Sequence, residues 1–195
     1  MTIQCTDGWF VVRIRDGDLE ALGELYKRYK TQVYRTALAI THDERASEDI
    51  LQEVFLRIYT YADRIDETRT LGPWLYRVTV NLAYSWTSRV KRWLRSFQDT
   101  LDRWILPALW RPEAEAEERE QRCFLRQAID ALPPRHHVVI VLYYLEELSL
   151  KEIAYVMDIP EGTVKSRLHY ARERLRKSIL ERERGLVPEM AYDFT

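Results

Sequence analysis

Apolar residues fall at helical spacing through most of this chain, and short polar breaks separate the runs. Trp9, Phe10, Val12 and Ile14 lie in first turns from Asp7 to Ile14 that dock on the body behind them. Asp16-Gly17-Asp18 is a break in which Asp18 suits an N-cap. Leu19, Leu22, Leu25, Tyr26, Tyr29, Val33, Ala37 and Ile40 then predict one helix to about Ile40. After a second break at Thr41 to Asp43, Ile50, Leu51, Val54, Phe55 and Ile58 give the core stripe of a helix from about Glu44 to Tyr61. Ala62 to Gly72 reads as a polar loop. Pro73 opens a third helix, to about Trp93 or beyond, with an apolar face of Trp74, Leu75, Val78, Leu82, Trp86, Val90 and Trp93. Core packing is the preferred role for Trp74 and Trp86, and Tyr76 is evenly balanced between core packing and a functional contact.

The second half repeats the pattern with shorter elements. Phe124, Leu125, Ala128, Ile129 and Leu132 form a stripe that ends at Pro133-Pro134. Arg135 to Glu146 is a further helix, apolar nearly all round from Val138 to Leu145, which implies burial on several sides or a partner face. Ser149 and Glu152 make a capping box. Leu150, Ile153, Ala154 and Met157 form one face, Asp158 and Ile159 break the pattern, and Pro160 suits the first turn of the next helix. That helix buries Val164, Leu168, Ala171 and Leu175 and carries Lys165, Arg167, Arg172, Arg174, Arg176 and Lys177 outside. A short helix, a tight turn and a basic helix make a helix-turn-helix, whose second helix can enter the DNA major groove. Gly162, Thr163, Lys165 and Ser166 stand where side chains would meet base edges.

Composition adds segregation of charge. The formal net charge is -1 in 195 residues, yet acids crowd Asp43 to Glu67 and Glu113 to Glu120, and bases crowd Arg89 to Arg95 and Lys165 to Lys177. Such a chain can meet a basic partner on one face and an acidic one on another. Cys5 and Cys123 make no disulfide framework, and neither has metal-ligand spacing to a histidine. His136 and His137 are adjacent, so on a helix they point about 100° apart. The reading expects no metal site, no cofactor and no catalytic residue: no nucleophile-base pair or phosphate-binding glycine loop is visible. No apolar run is long enough to span a bilayer and no signal peptide opens the chain, so the expected location is the cytoplasm.

Ile-Pro-Glu-Gly-Thr-Val-Lys-Ser-Arg, from Ile159 to Arg167, and Ala-Arg-Glu-Arg-Leu-Arg, from Ala171 to Arg176, resemble the C-terminal domain of sigma-70 family factors, most of all the extracytoplasmic-function (ECF) group. The run from Glu48 to Arg57 resembles the sigma segment that docks on the clamp helices of RNA polymerase, and Pro73 to Ala83 resembles the helix that recognises the promoter -10 element. The resemblance covers about Asp7 to Leu180. It implies an all-α chain of two small domains that binds core RNA polymerase at its clamp and flap regions and directs initiation at -35 and -10 elements. The chain is not expected to be an enzyme. The expected boundaries are 1–95 for sigma domain 2, 96–115 for a connector, 116–182 for sigma domain 4 and 183–195 for a tail.

By the same resemblance, Glu48, Asp49, Gln52, Glu53 and Arg57 would face polymerase. Asp66, Thr68, Arg77, Asn81, Tyr84, Arg89, Lys91 and Arg92 would face the melted -10 strand, where a flipped base is paid for by stacking and edge contacts in a pocket. Gly72-Pro73 replaces bulkier residues of relatives there, so the preferred base does not transfer. Thr163, Lys165, Ser166, His169 and Tyr170 would lie near -35 base edges, with Arg167, Arg172 and Arg176 on phosphates. An anti-sigma partner is expected to mask the polymerase-binding surfaces. Ser96 to Leu106 in the Trp-rich connector would be an amphipathic helix. The competing expectation is a helix-turn-helix regulator that binds duplex DNA with no sigma role.

Overall fold

The computed structural model describes residues 6–97 and 116–184, without the side chains of 91–97, 116–120 and 122, and the regular elements among these residues are all helices. The expected amphipathic helix from Ser96 to Leu106 falls almost wholly outside them. Thr6 caps helix α1 (Asp7–Arg15), Asp18 caps α2 (Leu19–Thr41) and Asp43 caps α3 (Glu44–Thr60), each accepting from backbone N–H groups of the first turn. The span read as a loop from Ala62 begins with one 3-10 turn (Ala62–Arg64), and α4 (Gly72–Phe97) starts at Gly72 itself. Helices α1 to α4 enclose Leu25, Val54, Ile58, Leu71 and Leu75, all essentially inaccessible to solvent. Full burial of each such side chain contributes about 1.5–3 kcal/mol.

The stripe expected on α4 is rotated from the one observed. The deepest residues are Leu75, Thr79, Val80 and Ala83, and Trp74, Val78 and Leu82 pack at the edge of the core. Helix α4 packs not only on α2 and α3 but also on α7 of the second half. Periodicity read for a single buried face cannot find such a contact.

In the second half, α5 (Ala116–Asp130) packs on α8, and Leu125, expected in its stripe, is exposed. Helix α6 (Pro134–Ile140) widens into a π-helical turn (Val141–Leu145). Val138 to Leu142 are buried on all sides, whereas Tyr144 and Leu145 emerge at the surface. Helix α7 (Leu150–Met157) opens with the expected capping box. The Ser149 hydroxyl, then its backbone N–H, hold the Glu152 carboxyl below its ordinary value of 4.5. The box therefore contributes fully above that range and is lost as pH falls through the lowered pKa. Asp158 ends α7 in the left-handed conformation with φ 55°, and Pro160 serves as the N-cap of α8 (Glu161–Glu183) rather than in its first turn. Val164, Leu168 and Ala171 bury α8 against α6 and α7.

Candidate functional site

On α3, Glu48, Asp49 and Gln52 are exposed, while Glu53 and Arg57 pair with each other at 2.7 Å. Leu56, 57% exposed, and Tyr59 emerge on the same side as Glu48 and Gln52. The sequence reading did not single out these two apolar groups, although their absence from the 50-54-58 stripe was a signal. Carboxylates and a glutamine beside exposed apolar groups suit a partner with basic side chains, giving register and specificity.

The loop before α4 is shaped by α1. Arg15 donates to the Ala62 carbonyl at 3.0 Å, the Ile65 carbonyl at 2.5 Å and the Glu67 carboxylate at 2.7 Å. Asp7 accepts from the Leu71 N–H at 3.3 Å, and also from the Tyr29 hydroxyl and Arg28. Burial, then the bond to Asp7, push the Tyr29 phenol upward, so it stays a proton donor. Within the loop, Asp66 accepts from the Thr68 hydroxyl at 2.6 Å and N–H at 3.0 Å, which hold its carboxyl below the ordinary range. Asp66 and Thr68 thus face each other and fix the loop's turn. On α4, Asn81 and Arg89 are exposed and Tyr84 is half-buried. Lys91 and Arg92 lie in α4 with side chains outside the described residues.

On α8, Lys165, Ser166, His169, Tyr170, Arg172 and Arg176 are exposed, and Thr163 is half-buried. Lys165 pairs with Glu161 at 3.0 Å and the Ser166 hydroxyl donates to the Thr163 carbonyl at 3.0 Å. Tyr170 packs on His136, ring centroids 4.4 Å apart. Two arginines expected on phosphates are not simply extended into solvent. Arg172 donates to the Tyr144 hydroxyl at 2.9 Å and lies over the Tyr143 and Tyr144 rings. Arg167 is half-buried, and burial, then nearby Arg135, lower its pKa.

The two halves meet at a polar junction that the sequence reading did not foresee. Glu146, its side chain 0% exposed, accepts from Arg35 of α2 at 2.8 and 3.1 Å and from the Tyr76 hydroxyl of α4 at 2.8 Å. Burial, then this bond, raise the Tyr76 phenol, and the bond itself makes Tyr76 a donor at the junction. Arg77 lies 3.4 Å from Asp158 and over the Tyr155 ring. A cleft of about 780 Å³ runs between the halves, lined by Asp66, Thr70 and Trp74 on one side and Lys151, Glu152 and Tyr155 on the other.

A helix-turn-helix with a basic second helix thus sits against a helical unit with an acidic α3 and a loop-helix platform. Residues 25–100 match the family described as Sigma-70 region 2, and residues 128–177 match Sigma-70, region 4. The chain is 32% identical over 181 residues to the ECF RNA polymerase sigma factor SigW of Bacillus subtilis, covering 87% of this chain and 94% of that protein. This chain is an ECF sigma factor of the sigma-70 family. It is also 30% identical over 184 residues to the ECF RNA polymerase sigma-E factor of Escherichia coli, covering 90% of this chain and 95% of that one. Like the family, the sigma factor directs RNA polymerase to promoters and is not itself an enzyme.

Two solved structures share the sigma factor's fold. One is CnrH in complex with the cytosolic domain of CnrY, at TM-score 0.64 and 20% identity, covering 91% of this chain and 98% of that one. The other is RpoE in complex with the anti-sigma factor NepR from Bartonella quintana, at TM-score 0.62 and 19% identity, covering 81% and 96%. Among the described residues, no helix of the sigma factor is long and apolar enough to cross a membrane.

Proposed function

We propose that the packed arrangement is the resting state of this sigma factor, and that it opens to place its two DNA-reading surfaces on separate promoter elements. One observation carries this reading. Arg77, on the -10 helix, lies 3.4 Å from Asp158, in the turn that leads into the -35 helix. Elements centred about 25 base pairs apart are separated by about 85 Å along B-form DNA, at about 3.4 Å per base pair. Surfaces that touch cannot reach both, so the junction at Glu146, Arg77 and the cleft must part.

In the open form, the α3 face with Glu48, Asp49, Gln52, Leu56 and Tyr59 meets the polymerase clamp. Asn81, Tyr84, Arg77 and Arg89, with Lys91 and Arg92 beyond, face the melted -10 strand. Asp66 and Thr68 hold the turn that shapes its pocket. The first turns of α8 enter the -35 major groove. The two fold neighbours were solved with CnrY and with an anti-sigma factor, and a partner of that kind suits the exposed apolar groups of α3 here. The site of action is the cytoplasm, where the polymerase works.

Fluorescence energy transfer between labels on α3 and α8 tests the opening. The distance is expected to grow by tens of ångströms, on the order of the 85 Å element spacing, when polymerase and promoter are added. An unchanged distance in the promoter complex contradicts the reading. The roles on α8 separate by base dependence. Lys165→Ala is expected to cost about 1–3 kcal/mol at its preferred sequence and less at altered -35 elements. Arg172→Ala is expected to weaken all sites alike and to lower the salt slope by about one. A change of sequence preference in Arg172→Ala would remove it from the phosphate set. Both are read by holoenzyme binding to a set of promoter variants.

A further inference from the structure

We propose that His42, Asp130 and His137 form a divalent transition-metal site that joins the two domains. His42 stands in the turn between α2 and α3, Asp130 ends α5, and His137 lies on α6. One ligand atom from each lies within 4.8 Å of the other two. His42 Nε2 is 3.1 Å from Asp130 Oδ1, and the His42 and His137 rings stack with centroids 5.4 Å apart. A tetrahedral ion with bonds of about 2.0–2.1 Å needs donors about 3.3 Å apart, which small side-chain rotations reach from here.

An ion pair with Asp130 would need one imidazole. His137 brings a second, buried imidazole beside the first, within reach of the same carboxylate. His42 holds a left-handed backbone with φ 56°, a conformation that glycine or asparagine adopts more readily. Its Nδ1 is buried without a protein hydrogen-bond partner. His136, next in the chain to His137, turns the other way onto Tyr170 and takes no part.

Two imidazoles and one carboxylate favour zinc, cobalt or nickel over magnesium and calcium, which prefer oxygen donors. His42 and Asp130 are partly exposed, which leaves a path for the ion and a fourth position for water. An ion held there ties the α2–α3 turn to α5 and α6, so its occupancy favours the packed arrangement. That consequence rests on the closed resting state proposed above, whereas the site itself stands or falls by metal binding.

The test is a titration of the chelator-stripped full chain with Co²⁺, followed by visible d–d absorption. The expected result is saturation at about one ion per chain, with displacement by Zn²⁺ and none by Mg²⁺. His42→Ala, in one domain, and Asp130→Asn, in the other, sit at partly exposed positions, and circular dichroism checks that both variants remain folded. Each is expected to weaken binding at least about tenfold. Absent bands, or an affinity that either folded variant leaves unchanged, overturn the proposal. Energy transfer in the same samples reads the opening independently, so failure of the site and failure of the closed resting state are distinguishable.

Discussion

Gly8→Ala is expected to lower the melting temperature of the chain by about 12–24 °C. A Cβ at Gly8 would stand 1.9 Å from the Glu67 carbonyl oxygen and 2.9 Å from its carbonyl carbon. Both obstacles are backbone, so no rotamer change relieves them. On one side α1 is fixed by its burial through Phe10, Val11 and Ile14. On the other, Arg15 holds the Ala62 and Ile65 carbonyls and the Glu67 carboxylate. Overpacking of this kind costs about 3 kcal/mol, and about 4–8 °C of melting temperature follows each kcal/mol in a domain of this size. The loop from Asp66 to Leu71 should shift with it, so -10 discrimination should fall even below the melting point. Gly23→Ala is the control: nothing lies within 4 Å of its Cβ position, and it sits mid-helix, where alanine gains up to about 1 kcal/mol. Thermal denaturation of both variants decides. A Gly8→Ala chain that melts within about 2 °C of the parent would mean that α1 and the loop do not touch.

The second large effect concerns the junction. Glu146→Gln is expected to open the sigma factor and tighten its apparent affinity for core polymerase. The carboxylate takes three hydrogen bonds from the other domain, two from Arg35 and one from Tyr76. Bonds to charged groups are worth about 1.5–3 kcal/mol, and Arg35 is half-exposed and regains water when released. A net loss of about 2 kcal/mol corresponds to about a 30-fold shift toward the open form. Tyr76→Phe removes one donor and should give a smaller shift in the same direction, on the order of 1 kcal/mol. Energy transfer between the domains and equilibrium binding to core polymerase read both variants. A Glu146→Gln chain with unchanged distance and affinity would show that the junction does not restrain opening.

Much of this fold was legible before any coordinates. Leu19 to Ile40 is a long run of one period capped by Asp18, and it became α2 nearly to the residue. Ser149 and Glu152 satisfy each other's backbone groups locally, so the start of α7 needed no tertiary information. What escaped was contact between distant segments. The face of α4 was misjudged at Thr79, Val80 and Ala83, which are buried in a helix that packs on α2, α3 and also α7. Glu146 read as the polar end of an apolar helix, since nothing local marks Arg35 and Tyr76 as its partners. The contacts of Arg172 with Tyr143 and Tyr144 escaped because those residues lie on another helix. Spacing rules did not bring His42 to Asp130 and His137, because the three meet only across the domain junction. Gly8 stood in an ordinary helix start, and only the position of Glu67 gives it a role.

Run-off transcription with purified core RNA polymerase, on genomic fragments from the protein's own source, tests the central claim most directly. The account predicts transcripts that appear only when the sigma factor is added. It predicts that Asn81→Ala on α4 and Lys165→Ala on α8 each suppress them, because one chain reads both elements of one promoter. Transcripts of unchanged start and amount with both variants would contradict it, as would tight binding to duplex DNA without polymerase and no transcript at all.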